Sequence, residues 1–181
     1  MQVVLARATK EMALEVQINE AISLWEDIEV KITFCAEKEG WFVVSDFICV
    51  YNEIDDLIIA TEKILMSRYI NPLKSQADSL MKALAEAESL LRIWELFQSK
   101  WKSLHPMFAM EDVRSFIPLE ARKFTTLDNA WKRIMSDLRR ETSLSNMMSY
   151  ADIRVQMSKG VDTMEEIFSI KRIYLNTKRA Q

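Results

Sequence analysis

Two glycines and three prolines in 181 residues leave this chain few places to turn, so its elements must be long. At 49% hydrophobic and 28% charged, the composition is that of a folded chain rather than a disordered one. One stretch shows the consequence most clearly. After Asn71-Pro72, with Asn as cap and Pro at the first helical position, the positions Leu73, Ala77, Leu80, Leu84, Ala87, Leu91, Trp94, Gln98 and Trp101 step by four and three without a break. That is a heptad-like seam. A second stripe of Leu90, Ile93, Phe97 and Leu104 widens the face, so the helix is expected to pack on two neighbours. The reading is a helix over 72–104 that Pro106 ends.

The remaining periods are read in the same way. Residues 2–28 form an amphipathic helix with Leu5, Ala8, Met12, Val16, Asn19, Ile22 and Trp25 on its apolar side. The period then switches. Val30, Ile32 and Phe34 alternate with Lys31, Thr33 and Cys35, and after Glu37-Lys38-Glu39-Gly40 comes the aromatic and β-branched run Trp41-Phe42-Val43-Val44. Two short strands around a loop ending in Gly predict a β-hairpin over 30–45, which must pack on helices to be stable. Asp46 is placed to cap a helix over 47–66. Residues 110–124 are expected to hold only one or two brief helical turns. Thr125 or Thr126 is expected to cap a helix over 127–140, and a polar break at 141–146 leads to a last helix over 149–178. Gly160 inside that helix marks a kink or a close helix crossing. The fold class is mainly α, an elongated multi-helix linker or bundle with one small β-hairpin.

Several function classes are excluded by what the residues lack. Two distant glycines cannot build a phosphate-binding loop. His105 is the only histidine and reads as a capping or surface residue beside Pro106; no Cys/His cluster has metal spacing. Adjacent carboxylates on a helix diverge by about 100°, so Asp55-Asp56 and Glu165-Glu166 read as solvated faces. Cys35 and Cys49 make no disulfide framework and are expected as buried free thiols. The expectation is therefore no catalytic residue, no cofactor and no metal in this chain, and a net charge of −3 gives no general attraction to nucleic acid. No apolar run approaches membrane-spanning length, so no membrane partner is expected. The charge is uneven: residues 26–62 hold ten acids and two bases, whereas residues 63–181 hold twenty bases and fourteen acids.

The stretch from Trp94 to Met135 carries an ordered series: Trp94, Gln98, Trp101, Pro106 and Phe108, then Glu111-Asp112-Val113, Pro118 and Glu120, Phe124, Asp128, Trp131 and Ile134-Met135. This series resembles the linker region (N-terminal region 2) of dynein heavy chains, where the pattern reads roughly W-x3-Q-x2-W-x-L-x-P-I-F, E-D-I, L-P-x-E, F, then Asp and Trp before I-M. The likeness extends to Ala8-Thr-Lys10-Glu11, to Leu65-Met66-Ser67-Arg68-Tyr69 and to Tyr174-Leu175-Asn-Thr-Lys178-Arg179. It covers nearly all of residues 1–181, read as the N-terminal part of a linker domain ending just before the family's F-P-R-F segment. Ser103, His105, Arg68 and Asn176 depart from the residues the family prefers.

The resemblance implies a mechanical element rather than an enzyme. The linker moves over the AAA+ ring of the same heavy chain to produce the power stroke of a microtubule motor. It would meet the microtubule only indirectly, and dynein intermediate or light chains only through a tail outside this stretch. It implies a place in the cytoplasm and cytoskeleton, or in the axoneme of a cilium or flagellum. Glu37 and Glu39, supported by Asp55 and Asp56, are the candidate docking residues. The competing reading is a free-standing helical scaffold or adaptor that binds partner helices; the hairpin and the ordered Trp/Pro series weigh against it.

Overall fold

In a computed structural model, residues 2–35, 41–150 and 152–179 are described, with side chains described between residues 4 and 170. Among these described residues, seven α-helices and one two-stranded hairpin follow in the order α1 (Gln2–Glu26), β1 (Ile32–Phe34), β2 (Phe42–Val44), α2 (Phe47–Leu65), α3 (Lys74–Ala109), α4 (Glu111–Phe116), α5 (Pro118–Leu138), α6 (Leu144–Ser149) and α7 (Ile153–Arg179). The chain is mainly α with one small hairpin, as the turn-poor composition and the period switch predict. It divides into two compact units. The first comprises Met1–Lys31, Val44–Leu90 and Thr142–Ser149; the second comprises Ile32–Val43, Leu91–Glu141 and Tyr150–Gln181.

In the first unit, α1 packs on α2, on the 3-10 turn Asn71–Leu73 and on α6. The buried side of α1 is Leu14, Ile18, Ala21 and Trp25. This corrects the expected apolar side: Leu5, Met12 and Val16 are exposed, and only Trp25 belongs to both sets. Apolar residues lie on opposite sides of this helix, so its periodicity alone supports two faces and tertiary packing selects one. Asp46 caps α2 by accepting a hydrogen bond from the Cys49 N–H at 3.0 Å. Below it, Phe47, Val50, Ile54, Leu57, Thr61 and Ile64 are buried. Thr61 satisfies its hydroxyl within the helix by donating to the Leu57 carbonyl at 2.7 Å.

A pairing that the alternation at 30–36 does not reveal closes this unit. The Val30 N–H donates to the Thr142 carbonyl at 2.8 Å, the Leu144 N–H donates to the Ile28 carbonyl at 2.9 Å, and Glu29 faces Ser143 in an antiparallel bridge. Ile28, Val30, Leu144 and Met147 are all buried there. The polar break expected at 141–146 is thus a β-bridge followed by α6.

Helix α3 has 36 residues, a length of about 54 Å at the standard rise. Every seam position expected from the sequence, from Leu73 to Trp101, is buried. Its start differs from expectation: Ile70, not Asn71, holds the cap position without a side-chain hydrogen bond, and Pro72 lies in the 3-10 turn. Its end differs too. Pro106 sits inside the helix, which continues to Ala109. Proline here costs one N–H in the final turn, and the chain leaves the helix only at Met110, whose backbone is extended.

In the second unit, α5 begins at Pro118 rather than at residue 127, because Pro118 occupies a helix-starting position that suits its fixed φ. Thr125 and Thr126 are not caps. Both lie mid-helix and donate to carbonyls four residues back, Ala121 and Arg122, at 2.8 and 3.1 Å. Helix α7 begins at Ile153 rather than 149. Asp152 adopts a left-handed conformation (φ 53°), which a short polar side chain tolerates and which breaks the helix between α6 and α7.

Candidate functional site

The ordered series folds into one aromatic core in the second unit. Trp94, Phe97, Trp101 and Phe108 of α3 meet Phe124 and Trp131 of α5. Phe108 stacks on Phe124 with centroids 4.8 Å apart, Phe97 lies 4.6 Å from Trp131, and Trp94 meets Trp131 edge-to-face at 6.2 Å. The i, i+7 spacing of Trp94 and Trp101 puts both on one side of α3. The i, i+7 spacing of Phe124 and Trp131 does the same for α5.

A polar relay is built into this core. The Trp101 indole Nε1–H donates to Asp128 Oδ1 at 2.9 Å, and Asp128 is 9% exposed. Lys132, one turn along α5, places Nζ 3.2 Å from Asp128 Oδ2 and 3.7 Å from the centroid of Trp41. Trp41 precedes β2 and lies 4.7 Å from the Trp101 ring. One carboxylate therefore fixes an indole on α3 and a lysine on α5, and that lysine caps the hairpin's tryptophan through a cation–π contact. The hairpin is held further by the Cys35 N–H bond to the Trp41 carbonyl at 2.7 Å and by Arg139 over the Phe42 ring at 4.5 Å.

His105 belongs to this cluster, which corrects its reading as a surface or capping residue. It is half-buried, edge-on to Trp41 at 4.4 Å and close to Trp101 and Phe124. The indole N–H groups of Trp94 and Trp131 are buried without an acceptor among the described residues. Gly160 of α7 answers a close helix crossing: a Cβ there would stand 2.3 Å from Phe97 Cε2. Beside it lies a groove of about 500 Å³ floored by Phe97, Leu127, Trp131 and Met157. Lys123 reaches Glu166 at 3.1 Å at its rim, and Lys100 reaches Glu165 at 3.1 Å. Tyr150 donates to Asp137 at 3.0 Å, and burial with this carboxylate pushes its pKa up.

The other residues singled out in the sequence are spread around this core. Gln98 is buried on the α3 seam and Pro106 is exposed. Asp112 is exposed in the first turn of α4, Pro118 starts α5, and Glu120 is half-buried in the first turn of α5. Acids in first turns complement the positive end of the helix dipole. Asp55 and Asp56 are exposed on α2, in the first unit. Glu37 and Glu39 lie outside the described residues. Cys49, expected to be buried, is exposed on α2, and hydrogen bonding to the Asp46 carboxylate raises its thiol pKa. Lys132 and Trp41 were not singled out as site residues, although Asp128 and Lys132 stand four apart, a visible i, i+4 pair. Among the described residues no group of His, Cys, Asp or Glu could hold a metal, and no helix is long and apolar enough to cross a membrane.

The comparison with known proteins decides what this core belongs to. The family model for dynein heavy chain, N-terminal region 2, matches residues 1–181. The chain belongs to that family. Similar proteins include dynein axonemal heavy chain 12 of Rattus norvegicus, 28% identical over 178 residues, covering 98% of this chain and 6% of that protein. Dynein axonemal heavy chain 10 of Homo sapiens is 25% identical over 178 residues, covering 97% of this chain and 4% of its own length. The dynein-1-alpha heavy chain of the flagellar inner arm I1 complex of Chlamydomonas reinhardtii is 25% identical over 180 residues, covering 95% and 4%. The chain thus spans about one-twentieth of these dynein heavy chains.

Proposed function

We propose that this dynein heavy chain region is a mechanical linker element, moving relative to the AAA+ ring of its own heavy chain to produce the power stroke of a microtubule motor. The observation that carries this reading is the relay Trp101–Asp128–Lys132–Trp41. Trp94, Trp101, Phe108, Phe124, Asp128 and Trp131 of the ordered series join α3 to α5, and Trp101 and Asp128 reach the hairpin through Trp41 and Lys132. An arm that transmits force needs internal stiffness, which an aromatic core with a satisfied buried carboxylate supplies. The region itself neither binds nor hydrolyses ATP; the ring does. Its setting is the cytoskeleton, and the axonemal relatives favour a cilium or flagellum.

The test is coupling in a complete heavy chain. Asp128→Ala should lower microtubule gliding velocity by more than it lowers basal ATPase, because the ring still turns over while the arm yields. Equal proportional losses would reduce the relay to general stability, and unchanged velocity would remove the mechanical reading. A second arm addresses docking. The acidic side chains Glu37 and Glu39, with Asp55 and Asp56, are proposed to meet a basic surface of the ring in one nucleotide state, through weak exchangeable pairs. Glu37→Lys with Glu39→Lys should slow gliding and change its salt dependence; velocity unaffected at every salt concentration would refute the contact.

A further inference from the structure

The bridge between residues 28–30 and 142–144, both in the first unit, sets one hydroxyl apart from the others. The bond from the Val30 N–H to the Thr142 carbonyl and the bond from the Leu144 N–H to the Ile28 carbonyl flank Glu29 and Ser143. That pattern makes Glu29 and Ser143 a non-hydrogen-bonded antiparallel pair, the kind whose side chains stand closer. Side chains alternate across a strand. Ile28, Val30 and Leu144 take the buried side, and Thr142, opposite Val30, shares it. Glu29 and Ser143 take the other side. Glu29 is exposed, and half-buried Ser143 has its hydroxyl 2.9 Å from that of Ser145.

The approach to Ser143 is basic. Arg140 stands three residues before it and Arg139 four, and apolar Leu144 follows. Both arginines are exposed, and the backbone from Arg139 to Thr142 is non-helical. Serine kinases with acidic substrate grooves read arginines at such positions by charge pairing, and they hold the substrate segment extended. A basic residue three before a hydroxyl also occurs at Ser103, Thr125, Thr126 and Ser136, but all four lie inside α3 or α5. Thr142 has Arg139 at the same distance but faces the buried side.

We propose that Ser143 is a phosphorylation site for an arginine-directed serine kinase, and that its modification opens the bridge between residues 28–30 and 142–144. In the step, Ser143 Oγ attacks the γ-phosphorus of ATP, its proton passes to the kinase's base, and the bond to the departing ADP breaks. The product carries a charge of about −1.5 to −2 at pH 7, directly across from the Glu29 carboxylate. Like charges opposite one another on paired strands destabilise the pair. Glu26 and Asp27 precede Glu29, so the stretch 26–29 offers only carboxylates and no base to receive the phosphate. Opening the bridge releases the Val30 and Leu144 N–H groups from their acceptors.

The test uses a complete heavy chain containing this region, ATP, and a purified cyclic-nucleotide-dependent serine kinase as the arginine-directed probe. Peptide mass spectrometry should find phosphate on Ser143. Ser143→Ala and, separately, Arg140→Ala should each lower phosphate on that peptide about tenfold. Hydrogen exchange at the Val30 and Leu144 amides should run about tenfold faster in the phosphorylated chain, with the Trp94 amide unchanged. Glu29→Gln in the phosphorylated chain should return part of that protection. No phosphate on this peptide, phosphate on Thr142 instead, or labelling only after denaturation would overturn the site. Phosphate on Ser143 with unchanged exchange would overturn the opening, and equal acceleration in Glu29→Gln would overturn its electrostatic cause. Gliding velocity plays no part in the readout, so failure here and failure of the linker reading are separable.

Discussion

The two units bury different chemistry. The first is filled mostly by aliphatic side chains such as Ile18, Ile54 and Leu84, with Trp25 and Phe47 at its edges and Thr61 buried as a polar residue. The second is filled by Trp41, Trp94, Phe97, Trp101, Phe124 and Trp131, with Asp128 and Gln98 buried among them. Aliphatic packing is permissive, because many side chains of similar volume fill the same space. A ring that must present an N–H to one carboxylate oxygen admits few substitutes. The ordered series from Trp94 to Met135 lies in this second unit.

The largest test of this contrast is truncation of a core indole. Trp101→Ala should cost about 3–5 kcal/mol, read as a fall in denaturation midpoint, and should release the Trp41 fluorescence environment as well. An unchanged midpoint would mean that the aromatic core is ornamental. Asp128→Ala comes next, at about 1.5–3 kcal/mol, because it strands the Trp101 N–H and the Lys132 ammonium together. Asp128→Asn keeps an acceptor and should lose less; equal losses would assign the effect to packing rather than to the relay. Gly160→Ala should follow at about 1–3 kcal/mol from overpacking against Phe97, less about 1 kcal/mol from better helix propensity. Adding Phe97→Leu should recover part of the loss, and a simple sum of the two single effects would show that the crossing is looser than its geometry.

In the first unit the expected effects are smaller. Ile54→Val should cost about 0.5–1.5 kcal/mol, and a loss as large as that of Trp101→Ala would erase the distinction between the units. The smallest effect is electrostatic. The Cys49 N–H bond holds the Asp46 carboxyl below its ordinary pKa. A carboxylate lowered in the folded state adds stability above its unfolded pKa of about 4, and that stability is lost as pH falls through the folded value. Asp46→Ala should therefore lower the midpoint at neutral pH and flatten its decline in acid; an equally steep decline would assign acid sensitivity to other groups.

What could be read beforehand follows the same division. The seam from Leu73 to Trp101 was legible because one strict period ran unbroken and only one side was apolar. The hairpin was legible from a change of period, and Asp46 from its place before an apolar run. Helix α1 was misread because its aliphatic residues line two sides, and nothing local decides which one meets α2. The starts of α5 and α7 were misread because Thr125 and Thr126 can bond either as caps or back along a helix, and because Asp152 shows its left-handed geometry only in three dimensions. The bridge of residues 28–30 with 142–144 has no local signature at all. The relay was half visible: Asp128 stood in the ordered series, but the approach of Lys132 to Trp41 joins residues far apart in sequence.

That same bridge has a consequence for biosynthesis. Translation releases residues from the N-terminus at about 5–20 per second, and the buried edge formed by Ile28 and Val30 has no backbone partner until Thr142 and Leu144 have left the ribosome. For several seconds the first unit must wait with open hydrogen-bonding groups while α3, α4 and α5 are made. A stalled or prematurely terminated product would leave that edge without its native backbone partners.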